Sequence, residues 1–462
     1  MTSRATRPLA LLFAIACGSH ESDTTDTGPD CCVVLDAEGA YRIEGVTEFL
    51  ELGYEIHIAD LDDDGAVEIV ASAPSPYSVE YLAQVYVLPG QPGPGNVEAV
   101  SLGWYTGSAS DFLGLLSGIL GDVDANGGLD LGMGADEGGF VTQWSDGIPG
   151  PDTPKEEYGG RLFLPWDLAY AHLGEAKQAA CGDITHDGAD DLCVTFDGQY
   201  VQGGTPGGVV FVGPLLPGDN EPTSWLQWMI DADQSTEAAV GGQDVNGDGL
   251  VDLLLGMPYD EAGLGTVRIA TDFGNGDVVA NDLQHWTGDY VSGYFGDFLA
   301  IGGDFDQDGL VDFLASAHMA DGTTGRLYAI TDKDGGPMPE AAHTLLLGVE
   351  PAGWFGISFT VGDFDGDDFD DVAVGAPQNQ YFAFDRPGTA FVFRGPLNTG
   401  TVSASDADRV LVGTDQPDLF GRSLAAGDLD LDGADDLVVG AKWDSLRGER
   451  VGAVYVFPGA GL

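Results

Sequence analysis

The stretch from Asp428 to Asp436 reads DLDLDGADD, with Ser423 to Gly427 (SLAAG) before it and Leu437 to Gly440 (LVVG) after it. Carboxylates stand at positions one, three, five and nine, and glycine at position six. The same grammar occurs six more times: Asp60 to Glu68 (DLDDDGAVE), Asp122 to Asp130 (DVDANGGLD), Asp183 to Asp191 (DITHDGADD), Asp244 to Asp252 (DVNGDGLVD), Asp304 to Asp312 (DFDQDGLVD) and Asp363 to Asp371 (DFDGDDFDD). Successive copies start 59 to 65 residues apart. So near-regular a period marks one supersecondary unit copied along the chain.

Outward from each aspartate loop the unit keeps its order. A short apolar run precedes the loop and a Leu- or Val-rich run follows it. A turn and then a glycine-led alternating run come next, as in Gly452 to Phe457 (GAVYVF) and Gly388 to Phe393 (GTAFVF). A fourth run, such as Arg409 to Gly413 (RVLVG), leads into the next copy. No helical period runs for a useful length. Four short strands per roughly 60 residues describe a propeller blade. The expected fold is therefore all-β: a seven-bladed β-propeller of four-stranded antiparallel blades over residues 39–462. The last unit stops after its third strand, and Tyr41 to Gly45 (YRIEG) resembles the fourth-strand run. That N-terminal strand is expected to close the last blade and leave no long free edge.

The loop spacing matches the first nine residues of an EF-hand, in which oxygen ligands come from alternate positions and glycine makes the sharp turn. The candidate ligands are Asp60, Asp62, Asp64 and Glu68 in the first loop, and Asp122, Asp124, Asn126 and Asp130 in the second. The third offers Asp183, Thr185, Asp187 and Asp191, and the fourth Asp244, Asn246, Asp248 and Asp252. The fifth offers Asp304, Asp306, Asp308 and Asp312, the sixth Asp363, Asp365, Asp367 and Asp371, and the seventh Asp428, Asp430, Asp432 and Asp436. Oxygen-only donors favour Ca2+ over zinc or copper, and magnesium would keep more of its waters. Up to seven structural calcium sites are expected, weakest in the third loop, where Thr185 replaces a carboxylate. The competing reading is a set of Asp/Gly-rich turns without metal.

Acidic residues number 76 against 16 lysines and arginines, for a net charge of −60 over 462 residues. That balance excludes nucleic acid and an anionic membrane surface as partners. Only Leu9 to Ala16 forms a marked apolar run outside the repeats, and it is too short to span a bilayer. With Arg4 and Arg7 before it, it reads as an export signal over residues 1–16. Residues 17–38 read as a polar tether.

Phe355-Gly356 with Gly375-Ala376-Pro377, Phe420-Gly421 with Gly440-Ala441, and Phe295-Gly296 resemble the FG-GAP repeat of integrin α-subunit propellers and many bacterial surface proteins. Leu52-Gly53 with Ala73-Pro74, Leu113-Gly114 and Leu173-Gly174 are looser copies. The resemblance covers about residues 40 to 460. It implies a seven-bladed propeller with calcium loops on one face and partner-docking loops, between strands two and three and between strands four and one, on the other. Ala14-Ile15-Ala16-Cys17 resembles the lipobox of bacterial lipoproteins, with Ala14 where leucine is usual. That implies a lipid on Cys17 and an outer-membrane or cell-surface location. Cleavage and plain secretion is the alternative.

The partner face is expected to draw on a long loop between strands two and three, Ala135 to Gly159, with Trp144. Trp104, Tyr105, Trp166, Trp286, Tyr294 and Trp354 make up an aromatic rim, or else plug blade interfaces. Cys181 and Cys193 flank the third loop symmetrically, as a disulfide or a reduced pair; Cys31 and Cys32 have no assignable partner. Scattered histidines and the lack of a Gly-x-Ser-x-Gly elbow leave no catalytic constellation. The expected function is a monomeric, non-enzymatic binding module for a protein or carbohydrate ligand, with a propeller-borne polysaccharide enzyme or a surface scaffold as alternatives.

Overall fold

The computed structural model describes residues 33–34, 41–75, 82–107, 113–114, 117–134, 140–146, 148–150, 153–154, 160–163, 177–196, 207–215, 218–220, 225–229, 236, 238–270, 278–279, 283–350, 352–377, 387–413, 418–446, 448–459 and 462. The chain is an all-β propeller with antiparallel blades. The described residues form seven five-stranded sheets, one for each repeat of the sequence. In the first unit, Ile56–Ala59, Glu68–Ala73, Gln84–Pro89 and Gly103–Thr106 pair antiparallel in that order. The sixth unit repeats the pattern with Ser358–Gly362, Asp371–Ala376, Thr389–Phe393 and Arg409–Val412. The seventh uses Phe420–Gly427, Asp436–Ala441 and Ala453–Phe457 from the C-terminal end. Its fourth strand is Tyr41–Glu44, with Tyr41 opposite Val456 and Ile43 opposite Val454.

The expectation of four strands per blade is corrected: each sheet carries a fifth, parallel strand of two to four residues. It is lent by the following unit, from the connection between that unit's third and fourth strands. Thr153–Pro154 pairs with Gly103–Thr106, and Gly400–Ser403 with Ala342–Leu347. Val33–Val34 fills the same place beside Arg409–Val412, and Gly95–Asn96 beside Tyr41–Glu44. Segments this short carry no periodicity. They stitch each blade to the next through backbone hydrogen bonds.

Second strands such as Glu68–Ala73, Asp252–Met257, Asp371–Ala376 and Asp436–Ala441 are buried at every residue. Both faces lie against neighbouring sheets, so these runs are continuously apolar rather than alternating. The contact between blades explains the Phe-Gly and Gly-Ala pairs. Gly421 adopts φ 81°, a left-handed conformation that favours glycine. A Cβ on Gly375 of the sixth blade would collide with the Gly421 carbonyl of the seventh. Gly440 stands in the same relation to Gly53, and Gly256 to Gly296. Ser358 Oγ donates to Gly421 O at 2.8 Å and Ser423 Oγ to Gly53 O at 3.0 Å. Phe295, Phe355 and Phe420 fill the core beside these contacts. In the third blade a disulfide joins Cys181 and Cys193 on the first two strands, Cα atoms 5.8 Å apart.

Candidate metal centres

Each aspartate loop joins the first strand of its blade to the second, so all of them lie at one end of the sheets. The chain bends identically in every loop. Position four is left-handed in each (Asp63, Ala125, His186, Gly247, Gln307, Gly366 and Leu431), as is position six (Gly65, Gly127, Gly188, Gly249, Gly309, Asp368 and Gly433). Only the second of these was legible as glycine. In all seven loops the position-one carboxylate holds the bend by accepting the amides of positions five and six. In the last loop Asp428 accepts from Asp432 N at 3.0 Å and from Gly433 N at 3.1 Å.

The position-nine acid is buried in every loop: Glu68, Asp130, Asp191, Asp252, Asp312, Asp371 and Asp436. One of its oxygens accepts an amide from the start of its own loop, as Asp371 does from Phe364 at 2.9 Å and Asp436 from Leu429 at 3.0 Å. In three blades the other accepts a glycine amide just beyond the third strand: Gly213 to Asp191 at 2.9 Å, Gly395 to Asp371 at 2.6 Å and Gly459 to Asp436 at 2.8 Å. Burial pushes Asp191, Asp252, Asp371 and Asp436 up to about 6 against those hydrogen bonds, and raises Glu68 and Asp312 as well.

Five loops bring three carboxylates into one cluster, each offering an oxygen within 4.8 Å of the others. They are Asp60, Asp62 and Glu68; Asp122, Asp124 and Asp130; Asp304, Asp306 and Asp308; Asp363, Asp365 and Asp371; and Asp428, Asp430 and Asp432. Oxygens bound to one calcium at 2.3–2.6 Å stand at most about 5 Å apart, so these clusters fit a hard cation. Asp64, Asp367 and Asp436 lie outside the clusters of their loops, and Asp312 outside the fifth. The third and fourth loops are not among them. Thr185 Oγ1 turns to Asp191 Oδ1 at 3.4 Å. Asn246 Nδ2 donates to Asp252 at 3.1 Å and Asp248 at 3.3 Å, an amide standing between acids where other loops gather only oxygens.

Sequence reasoning missed two partners of these loops. Lys333 Nζ lies 2.5 Å from Asp312 Oδ1, and Arg394 Nη1 lies 3.1 Å from Asp365 Oδ2. Neither cation belongs to the repeat, so no spacing pointed to it. His186 in the third loop is exposed, as its even position suggested.

The opposite end differs from expectation. Phe140–Asp146 is the third strand of blade two and Thr153–Pro154 the fifth strand of blade one, so Ala135 to Gly159 is not one long loop. Trp104, Tyr105 and Trp286 belong to fourth strands, and Tyr105 and Trp286 are buried in blade cores. Tyr294 and Trp354 do lie in connections from fourth to first strands, half-buried, on either side of His318. Trp166, the Trp144 side chain, Cys17, Cys31, Cys32 and the N-terminal signal and tether lie outside the described residues.

Two segments of the chain, residues 355–393 and 420–457, match the family described as FG-GAP repeat. The sixth and seventh units are thus similar to FG-GAP repeats. The chain is 34% identical over 208 residues to integrin alpha-5 of Xenopus laevis, covering 42% of this chain and 18% of that protein. It is 34% identical over 215 residues to integrin alpha-PS2 of Drosophila melanogaster, covering 43% of this chain and 14% of the other. It is also 32% identical over 164 residues to phosphatidylinositol-glycan-specific phospholipase D of Rattus norvegicus, covering 33% of this chain and 19% of that enzyme. The aligned segments thus span less than a fifth of these relatives. Among the described residues, no helix is long and apolar enough to cross a membrane.

Proposed function

We propose that residues 39–462 form a closed, seven-bladed, calcium-stabilised propeller that serves as a binding module for a protein or glycan partner at the cell surface. Residues 1–16 act as an export signal, and residues 17–38 tether the propeller to the outer membrane through a lipid on Cys17. The single observation that carries the calcium reading is the clustering of three carboxylates in five loops of one repeated geometry. The ion would balance charges that otherwise repel at close range, and the ligands would be the loop residues at positions one, three, five and nine. Amides already fix the first and last of these, leaving lone pairs on the same carboxylates for a cation. The partner is placed at the end away from the loops, where the connections around Tyr294 and Trp354 lie. The likeness to integrin α subunits supports a non-enzymatic role. The likeness to the phospholipase keeps an enzymatic reading in view.

The test is thermal unfolding of the mature chain with and without excess chelator, beside a count of bound calcium. Several ions per chain and a large fall in Tm on chelation are expected, because each ion bound only by the native state adds about 2.7 kcal/mol at a hundredfold excess over its Kd. An unchanged melt with no bound metal would overturn the reading.

A further inference from the structure

Position eight of the loop is not a ligand in the proposed set, yet in three loops it is an aspartate that reaches into the neighbouring blade. Asp190 Oδ2 accepts the amide of Asp122 at 2.9 Å, joining loop three to loop two. Asp370 Oδ2 accepts the amide of Asp304 at 2.9 Å, joining loop six to loop five. Asp435 Oδ2 accepts the amide of Asp363 at 3.0 Å, joining loop seven to loop six. At two boundaries the bond is returned through the backbone: Asp190 N–H donates to Asp122 O at 3.3 Å, and Asp435 N–H to Asp363 O at 2.8 Å. In the remaining loops position eight is Val67, Leu129, Val251 or Val311, whose side chains can accept nothing.

We propose that Asp190, Asp370 and Asp435 couple calcium binding between neighbouring loops, so that loops two and three form one cooperative group and loops five, six and seven another, while loops one and four bind independently. This rests on the calcium reading given above. The residue whose amide is held is in each case position one, the acid that fixes the bend and heads the ligand set. The residue that holds it stands between position seven, whose backbone carbonyl is the ligand at that place in an EF-hand loop, and the position-nine acid, a proposed ligand of its own loop. An ion that draws positions seven and nine together fixes the backbone of position eight. Its carboxylate then orders position one in the preceding blade. The second loop is thereby ordered before its own ion arrives, and that saving in conformational entropy appears as higher affinity.

The experiment is a calorimetric calcium titration of the chelator-stripped mature chain, with bound ions counted by mass spectrometry. It is repeated on the Asp190→Val, Asp370→Val, Asp435→Val triple variant, since valine is what this chain itself places at other boundaries. For the parent, later ions in the coupled groups should bind about fivefold or more tighter than the first. The triple variant should keep the ion count and lose that tightening. Asp→Asn at the same positions should restore it, because the amide oxygen still accepts. If the triple variant does not fold, Asp435→Val alone decides: loop seven should uncouple while loops two and three stay cooperative. Parent and valine variants giving the same titration curve, with calcium bound, would overturn the coupling and leave the calcium reading standing. No calcium bound to the parent would overturn both.

Discussion

Lys333 Nζ stands 2.5 Å from Asp312 Oδ1 and 2.9 Å from Val311 O, so the fifth loop meets its buried acid with a cation of its own. In blades three, six and seven the same carboxylate oxygen takes a glycine amide in place of a cation. Asp312 is wholly buried, and removing one partner of such a pair leaves a charge without compensation. Lys333→Met should therefore destabilise the chelator-treated protein by about 3 kcal/mol. The loss should shrink in excess calcium, where an ion in the loop supplies the missing positive charge. Denaturant unfolding in the two conditions reads the difference; an equal loss in both would assign Lys333 no electrostatic role.

The contact between Gly375 and Gly421 leaves no space for a side chain. Gly375→Ala would place its Cβ against backbone rather than against the end of a flexible side chain, so one blade must shift against the next. The expected cost is about 2–4 kcal/mol. Gly118 supplies the control, since a Cβ there meets nothing within 4 Å and its φ is ordinary. Thermal melts of the two alanine variants in calcium should differ by several degrees, with Gly118→Ala near the parent.

Strands of four or more residues and the aspartate loops between them were legible because each had seven copies to speak for it. One DGAD stretch is an Asp-rich turn, while a regular series is an architecture. The closing role of Tyr41–Glu44 was legible for the same reason, since YRIEG could be compared with RVLVG. What escaped was whatever occurs without a copy or below the length of a period. The fifth strands are two to four residues long. Lys333 and Arg394 lie at irregular places in the chain. The left-handed bend at position four is filled by residues as different as His186 and Leu431, so composition conceals it. The position-eight aspartates were visible as Asp-Asp doublets, but a doublet does not say that its first member reaches into another blade.

The disulfide of blade three closes a loop with a sequence separation of 12 around the third candidate site, the loop poorest in carboxylates. A crosslink of that span lowers the entropy of the unfolded chain by an amount worth about 3 kcal/mol. Cys181→Ala with Cys193→Ala should lower Tm in the presence and absence of calcium alike. The effect should be additive with loss of a distant site, as in Asp428→Ala, because blades three and seven are not successive in the repeat order and independent sites add. A double-mutant cycle with an interaction energy near zero is the expected result, and a large one would show that the third blade is coupled to the far side of the ring.

Lys442 follows Gly440-Ala441 where Pro377 follows Gly375-Ala376, and Glu51 precedes Leu52-Gly53 where Trp354 precedes Phe355-Gly356. The two departures meet at the junction of the seventh and first blades. Glu51 is buried, with φ 57°, and accepts from Trp443 Nε1 at 3.0 Å. Lys442 is buried with its Nζ 4.1 Å from the centre of the Tyr54 ring. Burial, with Arg422 and Arg450 nearby, lowers the Lys442 ammonium to about 7, and burial raises Glu51. Below pH 7 the folded and unfolded chains both hold the lysine proton, and the folded chain bears the full cost of the buried charge. Between about 7 and the ordinary 10.5 the folded chain holds fewer protons than the unfolded one, so stability rises with pH. Lys442→Met removes that dependence. Relative to the variant, the parent should gain about 3 kcal/mol between pH 6 and pH 9.5. Melts of both proteins across that range, in saturating calcium so that the loops contribute equally, should show the parent's curve climbing towards and past the variant's. Parallel curves would mean that Lys442 keeps its proton through the whole range and that Glu51 and the ring of Tyr54 compensate its charge.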